Sequence, residues 1–135
     1  MNLKRESMTT RRIKLGWPPS VNLMYRSIRG RNILSKKARD YKAKWGTYVT
    51  GSPEMGLVKL TVLLHPPKNF KYDVDNYFKM PLDLLKTKWF NDDSQVQDLR
   101  GVKRKKDLRK EGYIIIIMEA ICQTQGTITG TGTGG

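Results

Sequence analysis

Two acidic stretches stand out from an otherwise basic chain: Asp73-Val74-Asp75-Asn76-Tyr77-Phe78-Lys79 and Asn91-Asp92-Asp93-Ser94-Gln95-Val96. Residues 73–98 hold six of the twelve acids (Asp73, Asp75, Asp83, Asp92, Asp93, Asp98) against three bases (Lys79, Lys86, Lys88), a net −3. The other 109 residues carry 23 bases and six acids, a net +17, and the two parts make the chain's +14. A polyanion is drawn to the second region and repelled by the first. The repulsion disappears when the carboxylates hold a divalent cation, because Mg²⁺ neutralises them and bridges to phosphate oxygens. The pattern points to metal-assisted chemistry on nucleic acid.

The spacing supports that chemistry. Asp73 and Asp75 share a face of an extended segment and also converge at a loop-to-helix junction. Asp75 and Lys79 are four apart, so the lysine projects beside the second carboxylate if the first turn is helical. Asp92 and Asp93 precede a predicted strand, where a sharp turn aims one of them inward. Three carboxylates from two elements suit one or two Mg²⁺ ions, which keep several waters and take few protein oxygens. A metal there activates water, and a nearby lysine stabilises the pentacovalent phosphate or protonates the leaving oxygen. Taken singly, each motif also has a bland reading. Asp-x-Asp is often a cap or a solvated turn, Asn-Asp-Asp-Ser is made of turn formers, and Lys79 can be a solvated helix residue.

The elements that position these residues follow from periodicity and punctuation. Arg11 to Leu15 alternates as a strand, Gly16 to Asn22 is a proline loop, and Tyr25 to Leu34 reads as a hairpin or irregular loop around Gly30. Ser35 caps a helix running to about Val49, with Ala38, Tyr41, Trp45 and Tyr48 at helical spacing. Leu57 to Leu64 is a strand with Val58, Leu60, Val62 and Leu64 on one face. Asp75 to Lys88 has helical spacing at Phe78, Leu82 and Leu85, but Pro81 interrupts it. Either that helix kinks, or one turn ends and a second helix begins with Pro81 in its first turn. Val96 to Lys103 and Tyr113 to Ile121 are the last strands, the latter holding the aliphatic run Ile114–Met118. The expected fold is α/β (α+β): a small single domain with a mixed β-sheet packed by about two helices. Residues 1–10 read as a flexible basic arm, 11–122 as the domain, and the Gly/Thr-rich 123–135 as a disordered tail.

Composition bounds the partner. A pI near 10.1 favours nucleic acid, although a membrane surface is also anionic. No segment is long enough to span a bilayer, and the N-terminus lacks the apolar core of a secretory signal. One cysteine, Cys122, excludes an internal disulfide and a cysteine-based zinc cluster, which fits a reducing cytoplasm. Two basic clusters flank the acidic region: eight bases between Arg26 and Lys44, and seven between Arg100 and Lys110. Arg26, Arg29, Arg31, Lys36, Lys37, Lys68, Lys71, Lys105 and Lys106 are the candidate DNA contacts. Phe70 and Tyr72 either stack on unpaired bases or pack in the core. Trp17 reads as an anchor for its proline loop, and His65 as structural or exposed.

The ordered landmarks Trp17-Pro18-Pro19-Ser20-Val21-Asn22, Tyr25-Arg26, Leu34-Ser35-Lys36-Lys37-Ala38-Arg39-Asp40-Tyr41, Asp73 to Lys79 and Trp89 to Val96 resemble the RusA family of Holliday junction resolvases of bacteria and their phages. The resemblance covers about residues 11–121. It implies a RusA-like fold and a homodimeric, Mg²⁺- or Mn²⁺-dependent endonuclease that cuts four-way DNA junctions by paired symmetric incisions during recombination and repair. The family's D-x-D-N-x-x-K motif falls on Asp73, Asp75, Asn76 and Lys79, and its third acid on Asp93. The implied roles are metal ligation by Asp73, Asp75 and Asp93 and an essential positive charge at Lys79. Asp92 and Asn76 are weaker candidates for support. The sequence departs from the family at Tyr77 and Phe78, at Pro81, and in a gap between the acidic motifs about one residue short. The rival expectation is a non-catalytic basic nucleic-acid-binding protein of the architectural kind. It explains the charge but not the gathering of half the acids in 26 residues.

Overall fold

The computed structural model of the chain describes residues 10–121. The arm at residues 1–9, Cys122 and the tail at 123–135 lie outside the described residues. Six strands and two helices follow one another: β1 (Thr10–Gly16), β2 (Tyr25–Ile28), β3 (Arg31–Leu34), α1 (Lys36–Trp45), β4 (Val58–His65), α2 (Lys79–Leu85), β5 (Val96–Lys103) and β6 (Tyr113–Ala120). This is the expected mixed α+β domain, element for element. Thr10, expected at the end of the arm, is already in β1 opposite Glu119.

Four strands form one sheet in the order β1-β6-β4-β5. The aliphatic run of β6 lies between two partners, antiparallel to both β1 and β4, whereas β5 runs parallel to β4 as an edge. Alternation puts Leu60, Val62, Leu64, Ile114, Ile116 and Met118 on one buried face. That face packs against α1 and α2 through Ala38, Tyr41, Met80, Leu84 and Leu85. Each fully buried Leu or Ile contributes roughly 1.5–3 kcal/mol of transfer free energy.

The two helices start for different reasons. The Ser35 hydroxyl accepts from the Ala38 amide at 3.1 Å, as a cap does, and donates to the Leu23 carbonyl at 2.7 Å. The expected run to Val49 is regular only to Trp45 and tightens into a 3₁₀ turn at Gly46–Tyr48, beginning at a residue of poor helix propensity. The Tyr41 hydroxyl donates to the Gly16 carbonyl at 2.6 Å and fixes α1 to the end of β1. Of the two outcomes open at Pro81, the second is realised. A 3₁₀ turn at Val74–Tyr77 ends, α2 begins at Lys79, and Pro81 falls in its first turn, where its missing N–H costs no helical bond. The hairpin is real as well. Arg29 and Gly30, with φ of 51° and 78°, form its two-residue turn.

Candidate active site

The first acidic motif is a short turn pressed onto the edge strand. Asp73 occupies the N-cap position of the 3₁₀ turn, yet its side chain makes no capping bond. Only its backbone carbonyl is used, accepting from the Asn76 amide at 3.1 Å. Val74 and Phe78 point down onto β5 at Gly101. A methyl group at Gly101 would fall inside the volume of Val74 Cγ1 and 2.8 Å from Phe78 Cζ. The absence of a side chain at residue 101 therefore allows the acid-bearing turn to reach the sheet. Asp73 and Asp75, on either side of Val74, are left exposed and line one cleft of about 640 Å³ together with Tyr72, Leu99 and Lys103.

The second motif divides its labour among its residues. Asp92 accepts from the Ser94 amide at 2.9 Å, and hydrogen bonding from the Ser94 side chain and then from this amide holds its carboxyl below the usual carboxylate range. Gln95 closes the reciprocal half of the box, accepting from the Asn91 and Asp92 amides at 2.7 and 2.9 Å. Its amide also donates to the carbonyls of Glu54 and Gly56, both at 2.7 Å. Asp92 and Gln95 are thus spent on holding the 3₁₀ turn Asp93–Gln95 against the loop before β4. Asp93 remains exposed, with no side-chain hydrogen bond or ion pair among the described residues. Asp92, a weaker candidate from sequence, is the turn's cap.

Lys79 stands elsewhere than its spacing to Asp75 suggests. The first turn is 3₁₀ and α2 starts at Lys79, so the condition for an i, i+4 approach to Asp75 is not met. The lysine pairs forward instead: its Nζ is 3.3 Å from Asp83 Oδ1, and Lys42 Nζ reaches Asp83 Oδ2 at 3.9 Å from α1. The Asp83 carboxylate, by its charge and then by its hydrogen bond, raises the Lys79 pKa above the ordinary amine value, with smaller contributions from Tyr25 and Asp93. Asp83, counted in the sequence only as one acid among six, is the tether of the lysine. Its i, i+4 spacing to Lys79 was the available signal.

Two further side chains belong here. Lys103 lines the same cleft as the two aspartates, with its Nζ 4.5 Å from the Tyr72 ring centre. Trp17 packs against the core and braces the segments on both sides of Asp73: its ring lies 4.9 Å from Tyr77, 5.7 Å from Tyr72 and 6.3 Å from Phe70. Packing is therefore realised for Tyr72, whereas Phe70 stays 39% exposed. His65 is structural, stacked 4.4 Å from Tyr113 with Nδ1 2.9 Å from the Lys105 carbonyl.

The donor set suits a hard cation. Asp73 and Asp75 offer exposed carboxylate oxygens, engaged by no hydrogen bond or ion pair among the described residues, in one cleft. Mg²⁺ takes one or two carboxylates and completes its shell with water and phosphate oxygens. The structure does not bring Asp93 into that cleft, and no three His, Cys, Asp or Glu side chains among the described residues form a ready-made cage. A larger depression of about 970 Å³ at the end of the sheet is lined by Lys14, Lys44, Lys105, Lys106 and Arg109; of its two acids, Asp107 is consumed by backbone amides of Arg109 and Gly112, which leaves the single carboxylate of Glu111 among five bases. Charge and donor type, not size, single out the smaller cleft. All nine candidate DNA contacts are exposed, and only Lys36 is held in an ion pair, with Asp40 at 2.8 Å. No helix of the described residues is long and apolar enough to cross a membrane.

Comparison with known proteins matches the sequence to a family. The profile described as endodeoxyribonuclease RusA covers residues 16–117. A crossover junction endodeoxyribonuclease RusA of Enterobacteria phage 82 is 39% identical over 101 residues, spanning 71% of this chain and 84% of that protein. Those of Escherichia coli (strain K12) and Shigella sonnei (strain Ss046) are each 37% identical over the same length and shares.

Proposed function

This chain belongs to the RusA family of endodeoxyribonucleases, and from that premise we propose that it is a Mg²⁺-dependent endonuclease resolving four-way DNA junctions. The observation that carries the proposal is the pair of unengaged carboxylates, Asp73 and Asp75, in one cleft of a strongly basic protein. Asp73 and Asp75 would hold Mg²⁺ or Mn²⁺, and Asp93, which lies outside their cleft, would join them as a third acid only with a movement of its turn toward it. Bound there, the metal supplies Lewis-acid stabilisation of phosphate oxygens and a water of lowered pKa.

The chain's own groups do the rest. The turn braced on Gly101 fixes where the carboxylates stand. Lys79, protonated throughout the neutral range and tethered by Asp83, provides positive charge for the phosphate as negative charge develops in the transition state. Lys103, which lines the cleft beside Tyr72, would neutralise the strand entering it. The exposed cations of residues 26–37 and 68–71 and those at 105 and 106 bind phosphates without reading sequence. A two-fold homodimer would present two equivalent sites to the equivalent strands of a junction, as paired incision requires.

The test is a labelled four-way junction beside a matched linear duplex, with Mg²⁺ or EDTA. The expected result is paired symmetric nicks in the junction alone, lost with EDTA and in Asp73→Asn, while Asp73→Asn still binds the junction. Tight junction binding without cutting in Mg²⁺ or Mn²⁺ would replace this reading with the architectural one.

A further inference from the structure

The β2–β3 ribbon is the most exposed strand pair among the described residues. Every residue from Tyr25 to Ile33 is exposed, including Ile28 and Ile33 at 39% and 38%. An isolated two-stranded hairpin is marginal in water, so something local must hold it. Its tip is set by the left-handed pair Arg29-Gly30, whose twist matches the strands. Its base is clamped to the helix start: the Ser35 amide donates to the Met24 carbonyl at 2.7 Å, and the Arg39 guanidinium donates to the Leu34 carbonyl at 2.7 Å. The result is a firm root and a bare projecting tip.

The root lies beside the acid cluster. The 3₁₀ turn Val21–Leu23 leading into β2 touches the 3₁₀ turn Val74–Tyr77 that carries Asp75. Tyr25, the first residue of the ribbon, lies within electrostatic reach of Lys79. Pairing sets the faces. Tyr25 and Leu34, with Ser27 and Asn32, share one side, while Arg26, Ile28, Arg31 and Ile33 share the other.

We propose that this ribbon enters the major groove of a DNA arm next to the cleavage point and that Ser27 and Asn32 read base edges there. The inference rests on the nucleic-acid reading above. Strands of four residues extend about 13 Å, and a two-stranded ribbon fits a groove about 12 Å wide and 8.5 Å deep. Ser27 and Asn32 lie on the face shared with Tyr25, and their hydroxyl and amide are the groups that meet base-edge donors and acceptors. Arg29, in the turn at the tip, makes no ion pair among the described residues, and no acid occurs between Tyr25 and Leu34, so phosphates of the groove walls supply the missing charge at the tip, while Arg26 and Arg31 lie on the face turned away from the groove floor. The same three arginines disfavour a second copy of the ribbon as occupant, since two-fold pairing would bring like charges together.

The experiment is dimethyl sulfate protection of guanine N7 on a four-way junction in EDTA, where no cutting occurs. It compares the wild-type protein, Ser27→Ala/Asn32→Ala and Arg29→Ala. Protection in the arm next to the crossover should fall several-fold in the double variant while junction affinity stays within about threefold, because base contacts specify and phosphate contacts bind. Arg29→Ala should keep the pattern and reduce the salt slope of binding by about one. Unchanged N7 protection in the double variant would overturn the proposal. So would a switch of the variants from dimer to monomer in light scattering without loss of protection, which would assign the ribbon to a contact between copies. A wild-type protein that protects N7 but does not cut in Mg²⁺ would uphold the groove reading and remove the nuclease one.

Discussion

Replacing Gly101 with alanine separates the positioning of the acids from their chemistry. Gly101 pairs with Val62 in the sheet, and a Cβ there would overlap Val74 Cγ1 and stand 2.8 and 3.1 Å from two atoms of the Phe78 ring. Ordinary carbon contacts lie near 3.5–4.0 Å, so Val74 must retreat by roughly 1.5 Å or β5 must bend away from β4. Overpacking of this kind costs about 1–3 kcal/mol. At about 4 °C per kcal/mol for a domain of this size, the melting temperature should fall by about 4–12 °C. Val74 separates Asp73 from Asp75, so its retreat carries both carboxylates with it. A misplacement of about 1 Å typically costs about 100-fold in rate. Junction binding, which depends on cations elsewhere, should stay within about twofold.

The assay pairs thermal unfolding with single-turnover junction cleavage at saturating Mg²⁺, and measures binding separately in EDTA. The decisive control is Gly101→Ala/Val74→Ala, which removes the methyls that collide. Contacting residues couple, and the double variant should be at least 1 kcal/mol more stable than the sum of the single effects predicts. A Gly101→Ala protein with wild-type melting and wild-type rate, or a strictly additive double variant, would refute the claim that the acid turn is seated through residue 101.

Four further outcomes follow from the geometry. Gln95→Ala removes four hydrogen bonds from the second acidic turn and should cost about 1–3 kcal/mol in chemical denaturation, with cleavage falling more than junction binding. Asp83→Asn should slow cleavage by about three- to tenfold at pH 7.5, as one charge-assisted bond is lost. Because Asp83 raises the Lys79 pKa, the stabilisation from that pair is present below the lysine's unfolded pKa and lost only as pH rises past its folded one; side-chain NMR of Lys79 should find its titration at lower pH in the variant. Asp107 is depressed by amide bonds from Arg109 and Gly112, so its stabilisation holds above the unfolded carboxylate pKa of about 3.9 and fades as pH falls through the folded value. Asp107→Asn should therefore melt lower than wild type at pH 7, with the gap closing below about pH 4. Tyr41→Phe, which loses the bond to the Gly16 carbonyl, should cost about 1 kcal/mol in urea unfolding without altering the cleavage pattern.

What could be read from the sequence and what could not divides along the range of the interactions. Strands β4 and β6 were legible because alternation and an aliphatic run are properties of neighbouring residues. The start of α1 was legible because Ser35 caps an amide three residues away. The two acidic motifs were visible as local excess charge, and Asp92 and Gln95 sit at the spacing of a capping box. The course of the chain at Pro81 was undecided because a kink and a restart use the same residues. Seating Val74 and Phe78 on Gly101 favours the restart, and that contact spans more than twenty positions of chain. The same reasoning accounts for Lys79. Its forward partner, Asp83, and its backward neighbour, Asp75, are both four positions away, so spacing alone cannot rank them. The ranking follows from where α2 begins, and α2 begins where the 3₁₀ turn ends against the edge strand. Lys103 was equally hidden among seven bases until the parallel pairing of β5 with β4 placed it at the cleft. A charged residue's type can therefore be read locally, but the side of the acids on which it stands is fixed by strand pairing, and a change at Gly101 should disturb Lys79 and the two aspartates together.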